Sequence, residues 1–270
     1  MAYVKSGDFS VFYEVEGEGP ALVFLHGGGG NASSWWQQVA HFSKSYKTIV
    51  VDNRGFGRTH PINPEVADIN AFADDVCAVL DAEDIDKAHL ICQSLGGWTG
   101  LRMALGKPER VKSLTVSNSP MGVLYPKAME DAFTFVMSLA GSGMAIEDAA
   151  LSKQFRESKP EAFWLYRHLN QLNPLTLRGA ELGIEPNQFV QRMFAPDIQI
   201  PMEKLAEVTV PTLLVGGRHD PLVKPETMEE YARHIPGAQA KIFEGAGHSP
   251  YFEIPDAFNA FISSFLAASR

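Results

Sequence analysis

The sequence predicts an α/β fold built on a mostly parallel β-sheet. Three nearly continuous apolar runs, at residues 21–25, 48–51 and 89–92, are typical of parallel strands that are covered on both faces. Two segments with helical spacing of apolar residues lie between and after these runs, at residues 71–80 and 95–105. This alternation indicates strands that are joined by right-handed helical crossovers.

Further strands and a helix are predicted towards both ends of the chain. Residues 9–15 alternate apolar and polar side chains, which predicts a half-buried antiparallel strand at an edge of the sheet. Later strands are predicted at residues 113–116, 211–215 and 240–243. Residues 258–266 are predicted to form a terminal amphipathic helix.

The alternation of strand and helix patterns stops between residue 120 and residue 205. No strand-like run is found there, and apolar side chains recur at helical spacing over residues 132–139 and 161–172. Proline and glycine interrupt this stretch repeatedly. We therefore expect a helical insertion between two strands of the sheet.

Composition excludes several classes of function. The 270-residue chain has 23 Lys and Arg against 32 Asp and Glu, a formal net charge of −9. Nucleic acid and anionic membranes need a basic surface, so neither is expected as a partner. Cys77 and Cys92 are too few for a disulfide scaffold or a thiolate metal site. No signal-peptide or membrane-span pattern is present, which predicts a soluble, cytoplasmic protein. The oligomeric state is left open.

The segment HLICQSLGG, residues 89–97, places Ser94 between a predicted strand and a predicted helix. At such a junction a serine sits in strained backbone with its hydroxyl above the sheet, and the helix start behind it offers free N–H groups. The turn needs small residues two positions before and after the serine. Gly96 meets this need, whereas Cys92 stands where the usual G-x-S-x-G pattern has glycine. The alternative interpretation is a serine that caps an ordinary helix.

Four consecutive glycines, residues 27–30, follow an apolar strand. A phosphate-binding loop is one interpretation, but no Lys-Ser or Lys-Thr follows it. The other interpretation is an oxyanion loop that supplies one N–H, with a second from Leu95 after the serine. His26 is expected to hydrogen-bond beneath this loop, and Asp52 and Arg54 are expected to shape a tight structural turn.

An aspartate and a histidine follow two later strands. Asp220 comes after the apolar run PTLLV, and His248 lies in the glycine-flanked loop GAGHS. Like Ser94, both follow predicted parallel strands, so all three are expected at the same edge of the sheet. The chain order Ser, Asp, His is also the order known for this geometry. In such an arrangement the histidine takes the proton of Ser94, and the aspartate fixes the tautomer of the histidine ring. Ordinary surface positions are expected for His41, His168 and His219.

The chain resembles the α/β-hydrolase fold superfamily in five segments: HGGGG, DNRGFGRT, CQSLGG, VGGRHD and GAGHSPYFEIP. More narrowly, it is similar to the small esterase, enol-lactonase and C–C-bond hydrolase members that carry a helical cap. The resemblance implies a doubly wound sheet with a helical cap inserted after the sixth strand. It divides the chain into a core at residues 1–119 and 208–270 and a cap, or lid, at residues 120–207.

The resemblance also implies a role for each site residue. These are Ser94 as nucleophile, His248 as base, Asp220 as acid, and the Gly28 and Leu95 N–H groups as oxyanion hole. Some members carry the acid after the preceding strand, but residues 116–120 contain no carboxylate, which supports Asp220. Members that displace halide or open epoxides use an aspartate nucleophile, so Ser94 argues against both activities.

The predicted function is a serine hydrolase that forms an acyl-enzyme with a small, mainly apolar or aromatic ester, lactone or C–C ketone. The expected pocket residues are Phe133, Met137, Trp164 and Tyr166. Candidates for pairing a substrate carboxylate are Arg167, Arg178 and Arg192. No metal motif or complete dinucleotide signature is found, so neither a metal nor an organic cofactor is expected, and the expected partner is a small-molecule substrate.

Two alternatives keep the fold and change the function. Some members of the superfamily are cofactor-free dioxygenases of heteroaromatic substrates, in which the His–Asp pair removes a proton and the serine only binds. Others are small-molecule receptors in which a triad persists with slow turnover. Oxygen consumption that survives Ser94→Ala would favour the first, and tight ligand binding with negligible turnover would favour the second.

Overall fold

The computed structural model describes residues 1–60, 68–139, 142–171, 195 and 197–269. Within these residues, eight strands form one sheet in the order β1-β2-β4-β3-β5-β6-β9-β10. They are β1 Ala2–Ser6, β2 Phe9–Glu16, β3 Ala21–Leu25, β4 Lys47–Val51, β5 Ala88–Gln93, β6 Val111–Ser117, β9 Thr212–Gly217 and β10 Gln239–Phe243. The strands from β4 to β10 pair in parallel, while β1–β2 and β2–β4 are antiparallel. The predicted mostly parallel α/β sheet is confirmed.

The edge of the sheet differs from the prediction. β2 is antiparallel as expected, but it pairs on both sides, and β1 takes the edge position. A two-residue turn at Gly7 and Asp8 joins the two strands, with Gly7 at φ 56°. Glycine is needed at such a position because side chains disfavour positive φ. The sequence pattern does not predict β1, because its five residues are half exposed and carry little apolar signal.

Helices cover both faces of the sheet. They are α1 Trp36–Phe42, α2 Phe72–Ala82, α3 Leu95–Gly106, α4 Pro126–Ser138, α5 Ile146–Ala150, α6 Lys153–Ser158, α7 Pro160–Gln171, α8 Pro225–His234, α9 Pro250–Glu253 and α10 Pro255–Ala268. Adjacent residues of one strand face opposite layers: Leu90 packs in the cluster that contains α2, α3 and α8, and Ile91 in the one that contains α1 and α10. This two-sided burial explains the continuous apolar runs. No described helix has the length and apolar character to cross a membrane.

The segment between β6 and β9 is helical in its described part, with α4 to α7 covering both predicted helical stretches. The expectation that it holds no strand is wrong. Two short strands, β7 Val123–Leu124 and β8 Ile200–Pro201, pair in parallel near its two ends. Strands of two residues are too short to leave a sequence pattern. The core and cap boundaries remain predictions.

Candidate active site

Ser94 lies in the sharp turn between β5 and α3. Its backbone has φ 48° and ψ −114°, a positive φ that residues other than glycine rarely adopt. A Cβ at Gly96 would lie 2.3 Å from the Leu25 carbonyl oxygen, so the helix approaches β3 too closely for any side chain there. Ser94 is the N-cap residue of α3, but its side chain makes no capping hydrogen bond. The ordinary capping interpretation therefore does not account for this hydroxyl.

Cys92 replaces the usual glycine because α3 leaves room for it. The side chain is fully buried, and a Cβ at Gly100 would lie 2.7 Å from the Cys92 sulfur. The missing side chain at position 100 therefore compensates for the extra one at position 92. Burial raises the pKa of the Cys92 thiol, which keeps it protonated and makes it a packing residue.

Asp220 and His248 form a buried hydrogen-bonded pair. Asp220 follows β9, His248 follows β10, and Nδ1 of the histidine lies 2.8 Å from Oδ2 of the aspartate. The other carboxylate oxygen accepts hydrogen bonds from the backbone N–H groups of Leu222 and Val223, at 2.8 and 3.0 Å. A carboxylate held in this way keeps Nδ1 of the ring protonated, which leaves Nε2 as the free base.

Asn118 is a site residue that the sequence analysis missed. It follows β6 with φ 50°, and its amide nitrogen donates to Asp220 Oδ2 at 2.8 Å and to the Gly247 carbonyl at 3.2 Å. The sequence signal that points to Asn118 is a polar residue at the carboxyl end of a central strand, because open α/β sheets bind their ligands at this edge.

The glycine loop lies directly against the serine turn. A Cβ at Gly27 would lie 3.0 Å from Ser94 Cβ, and a Cβ at Gly28 would point into open space. Leu95 is the first residue of α3, where a backbone N–H has no acceptor within the helix. Leu95 therefore offers an N–H without a helical acceptor next to Ser94, and the glycine loop brings a second backbone segment against the same turn.

His26 supports this loop from beneath. Asn53 donates its backbone N–H to Nε2 at 3.0 Å, so Nε2 is unprotonated and Nδ1–H donates to the Gly27 carbonyl at 2.7 Å. Burial lowers the pKa of the His26 ring, against the opposing effects of Asp52 and the Gly27 carbonyl. A neutral ring suits this pair of bonds, and the residue is structural.

The turn at residues 52–59 is also structural. Asp52 accepts the Ala32 N–H at 2.6 Å and the Arg58 N–H at 2.7 Å, which ties the glycine loop to the turn. Arg54 makes a buried two-point ion pair with Asp75, at 2.5 and 2.7 Å.

The four predicted pocket residues have different surroundings. Phe133, Met137 and Trp164 are more than half exposed, and the Trp164 ring lies against His168. Tyr166 is buried, with its hydroxyl 3.0 Å from the Ser249 hydroxyl, next to His248. Of the four, the structure brings only Tyr166 to the histidine loop, and the pocket role of all four stays a prediction.

Of the three charged candidates for substrate binding, the structure describes only Arg167. Arg167 pairs with Asp148 at 2.8 Å. Arg178 and Arg192 lie outside the described residues. In the part of the chain that the structure describes, no group of three or more His, Cys, Asp or Glu side chains could hold a metal ion.

Comparison with known proteins identifies relatives of this arrangement. A family model described as alpha/beta hydrolase fold matches residues 20–255. A candidate carbamate hydrolase named RutD, from Azorhizobium caulinodans, is 27% identical over 98% of both chains. A 3-oxoadipate enol-lactonase from Acinetobacter baylyi is 28% identical over 92% of this chain and 88% of its own length. A solved structure of Est816, described as an N-acyl homoserine lactone degrading enzyme, superposes with a TM-score of 0.79 at 27% identity, over 97% of this chain and 99% of that one. These matches confirm the resemblance that the five sequence segments carry.

Proposed function

This chain belongs to the α/β-hydrolase fold family, and we propose that it is a serine hydrolase that cleaves a small, mainly apolar or aromatic ester, lactone or C–C ketone bond. The observation that carries the proposal is the 2.8 Å bond between His248 and Asp220, at the same sheet edge as the strained turn of Ser94. A base held by a buried acid, at the sheet edge that also carries a serine in a strained strand–helix turn, is the arrangement that activates a serine.

The reaction proceeds in two acyl-transfer steps. Ser94 Oγ attacks the substrate carbonyl while its proton passes to Nε2 of His248, and Asp220 stabilises the imidazolium. The oxyanion is assigned to the backbone N–H groups of Gly28 and Leu95, because Leu95 opens α3 directly after Ser94 and Gly28 follows Gly27, where a Cβ would lie 3.0 Å from Ser94 Cβ. His248 then gives its proton to the leaving group and activates the water that releases the acyl group from Ser94.

The contacts of helix α7 support the proposed cap. Asn31, directly after the glycine loop, donates its side-chain amide to the Leu169 carbonyl of α7 at 2.8 Å. Tyr166, also on α7, bonds to Ser249 beside His248. The helix therefore contacts both loops that flank Ser94, as a segment that encloses a substrate must. Its apolar side chains favour an apolar acyl group.

The substrate class is tested with a matched panel of acyl esters, lactones and dienone-type ketones on the wild type and Ser94→Ala. We expect turnover of at least one class by the wild type and none by the variant. The relatives named as a lactonase and a lactone-degrading enzyme make lactones the first class to assay. Binding without turnover across the whole panel would contradict the proposal.

A further inference from the structure

We propose that Glu253 is a positioning residue, which fastens the loop of His248 to the connector between α5 and α6. The connector is defined as Leu151 and Ser152 together with Ala150, the last residue of α5. The inference rests on the proposed function, because it assigns His248 as the base. It concerns a buried carboxylate that the two acyl-transfer steps do not use.

The Glu253 carboxylate is buried and binds backbone N–H groups on two separate pieces of chain. Oε1 accepts from Gly247 at 2.9 Å and from Ser249 at 3.1 Å, so the carboxylate holds the residues on both sides of His248. Oε2 accepts from Ser152, in the connector, at 2.9 Å. One side chain thus satisfies three N–H groups that would otherwise be buried without a partner.

The connector also touches the histidine directly. The backbone N–H of His248 donates to the Ala150 carbonyl at 2.9 Å. A Cβ at Gly247 would lie 2.6 Å from both the Ala150 oxygen and the Ser152 nitrogen, so only glycine allows this approach. On its other side, the His248 carbonyl accepts from the Gln93 side chain at 3.1 Å, next to Ser94.

These contacts make the position of the His248 ring depend on the connector between α5 and α6. The imidazole is held at Nδ1 by Asp220, but its backbone is held by the connector and by Glu253. Loosening that link moves the ring relative to Ser94, which slows proton transfer without removing any group that binds substrate. A misplacement of about 1 Å costs about a hundredfold in rate. We therefore expect an effect on kcat and little effect on KM.

A single backbone N–H can be removed to test the link. Ser152 has φ −60°, and the preceding Leu151 is extended, so the backbone angles at position 152 already suit proline. Ser152→Pro removes the N–H that binds Glu253, but it also removes the hydroxyl that caps α6 at Phe155 N. Ser152→Ala removes only the hydroxyl and is the reference. Glu253→Gln is the second variant, because an amide of the same size cannot accept at both ends.

Two measurements are made on each folded variant. The first is kcat and KM on a substrate of the wild type. The second is the downfield proton NMR signal of His248 Nδ1–H, which reports its bond to Asp220 without requiring turnover. We expect Ser152→Pro to lower kcat about tenfold to a hundredfold relative to Ser152→Ala, with KM within about threefold. Glu253→Gln should act in the same direction, and the proton signal should shift or broaden in both.

A kcat for Ser152→Pro within twofold of Ser152→Ala overturns the proposal. So does a change confined to KM, or a fall in kcat with the proton signal unmoved. If the wild type shows no hydrolysis that depends on Ser94, the proposed function fails. The NMR comparison then still decides whether Glu253 and the connector position His248.

Discussion

The Nδ1 atom of His248 lies 2.8 Å from Oδ2 of Asp220, inside a pocket of hydrogen-bond donors that all face the aspartate. Asn118 donates to the same oxygen, and the backbone N–H groups of Leu222 and Val223 donate to the other. The carboxylate is therefore fixed before any substrate arrives. The histidine is oriented by an acceptor that has no freedom to turn away.

The first prediction concerns this pair. In Asp220→Asn, the single amide oxygen cannot accept hydrogen bonds from both His248 Nδ1–H and the other donors around position 220. The ring is then no longer held in the tautomer that carries its proton on Nδ1. We expect kcat to fall about 10⁴-fold with the fold intact, which steady-state kinetics and circular dichroism will show. Asp256→Asn, at an exposed position in α10, is the matched control. An Asp220→Asn enzyme within tenfold of the wild type would rule out Asp220 as the acid.

The second prediction concerns Cys92 and Gly100. Gly100→Ala places a methyl group against the Cys92 sulfur and should destabilise the fold by about 1–3 kcal/mol. Combining it with Cys92→Gly removes the contact with the sulfur and leaves the one with Leu114 Cδ1, also at 2.7 Å, so the loss in the double variant should be smaller than the sum of the single losses. Urea unfolding of the four proteins measures this coupling. Additive losses would show that the two positions do not compensate each other.

The third prediction concerns the ion pair of Arg54 and Asp75. Arg54→Met leaves a buried carboxylate without its partner, which should cost about 3–5 kcal/mol of unfolding free energy. Replacing both residues with apolar side chains should recover most of that loss. Chemical denaturation measures both variants. A loss below about 1 kcal/mol in Arg54→Met, the range of an exposed pair, would contradict the structural role.

The fourth prediction concerns pH and His26. Burial lowers the pKa of this ring in the folded protein, so below about pH 6.5 the unfolded chain binds a proton that the folded chain does not. The free energy of unfolding should therefore fall as pH decreases through that range. His26→Gln removes the titration and should flatten the dependence, whereas His41→Gln, at an exposed position, should not. Equal slopes in the wild type and His26→Gln would contradict the assignment.

Local pattern predicted the parallel strands, the helices α2, α3 and α10, and the loops that carry Ser94, Asp220 and His248. Burial on both faces of a central strand leaves a continuous apolar run, and a parallel sheet collects the ends of such strands at one edge. Long-range contacts leave no such pattern. Glu253 bonds to Ser152 across 101 positions, and Asn118 to Asp220 across 102. Neither bond could be predicted from a single chain.

The most direct test of Ser94 as the nucleophile is covalent labelling of the intact protein with a fluorophosphonate, followed by mass spectrometry. We expect one stoichiometric adduct on Ser94, because His248 activates that hydroxyl and the N–H groups of Gly28 and Leu95 bind the phosphonyl oxygen. Labelling should be absent in Ser94→Ala and strongly slowed in Asp220→Asn. Labelling at another residue, or none on a folded wild-type protein, would contradict Ser94 as the nucleophile.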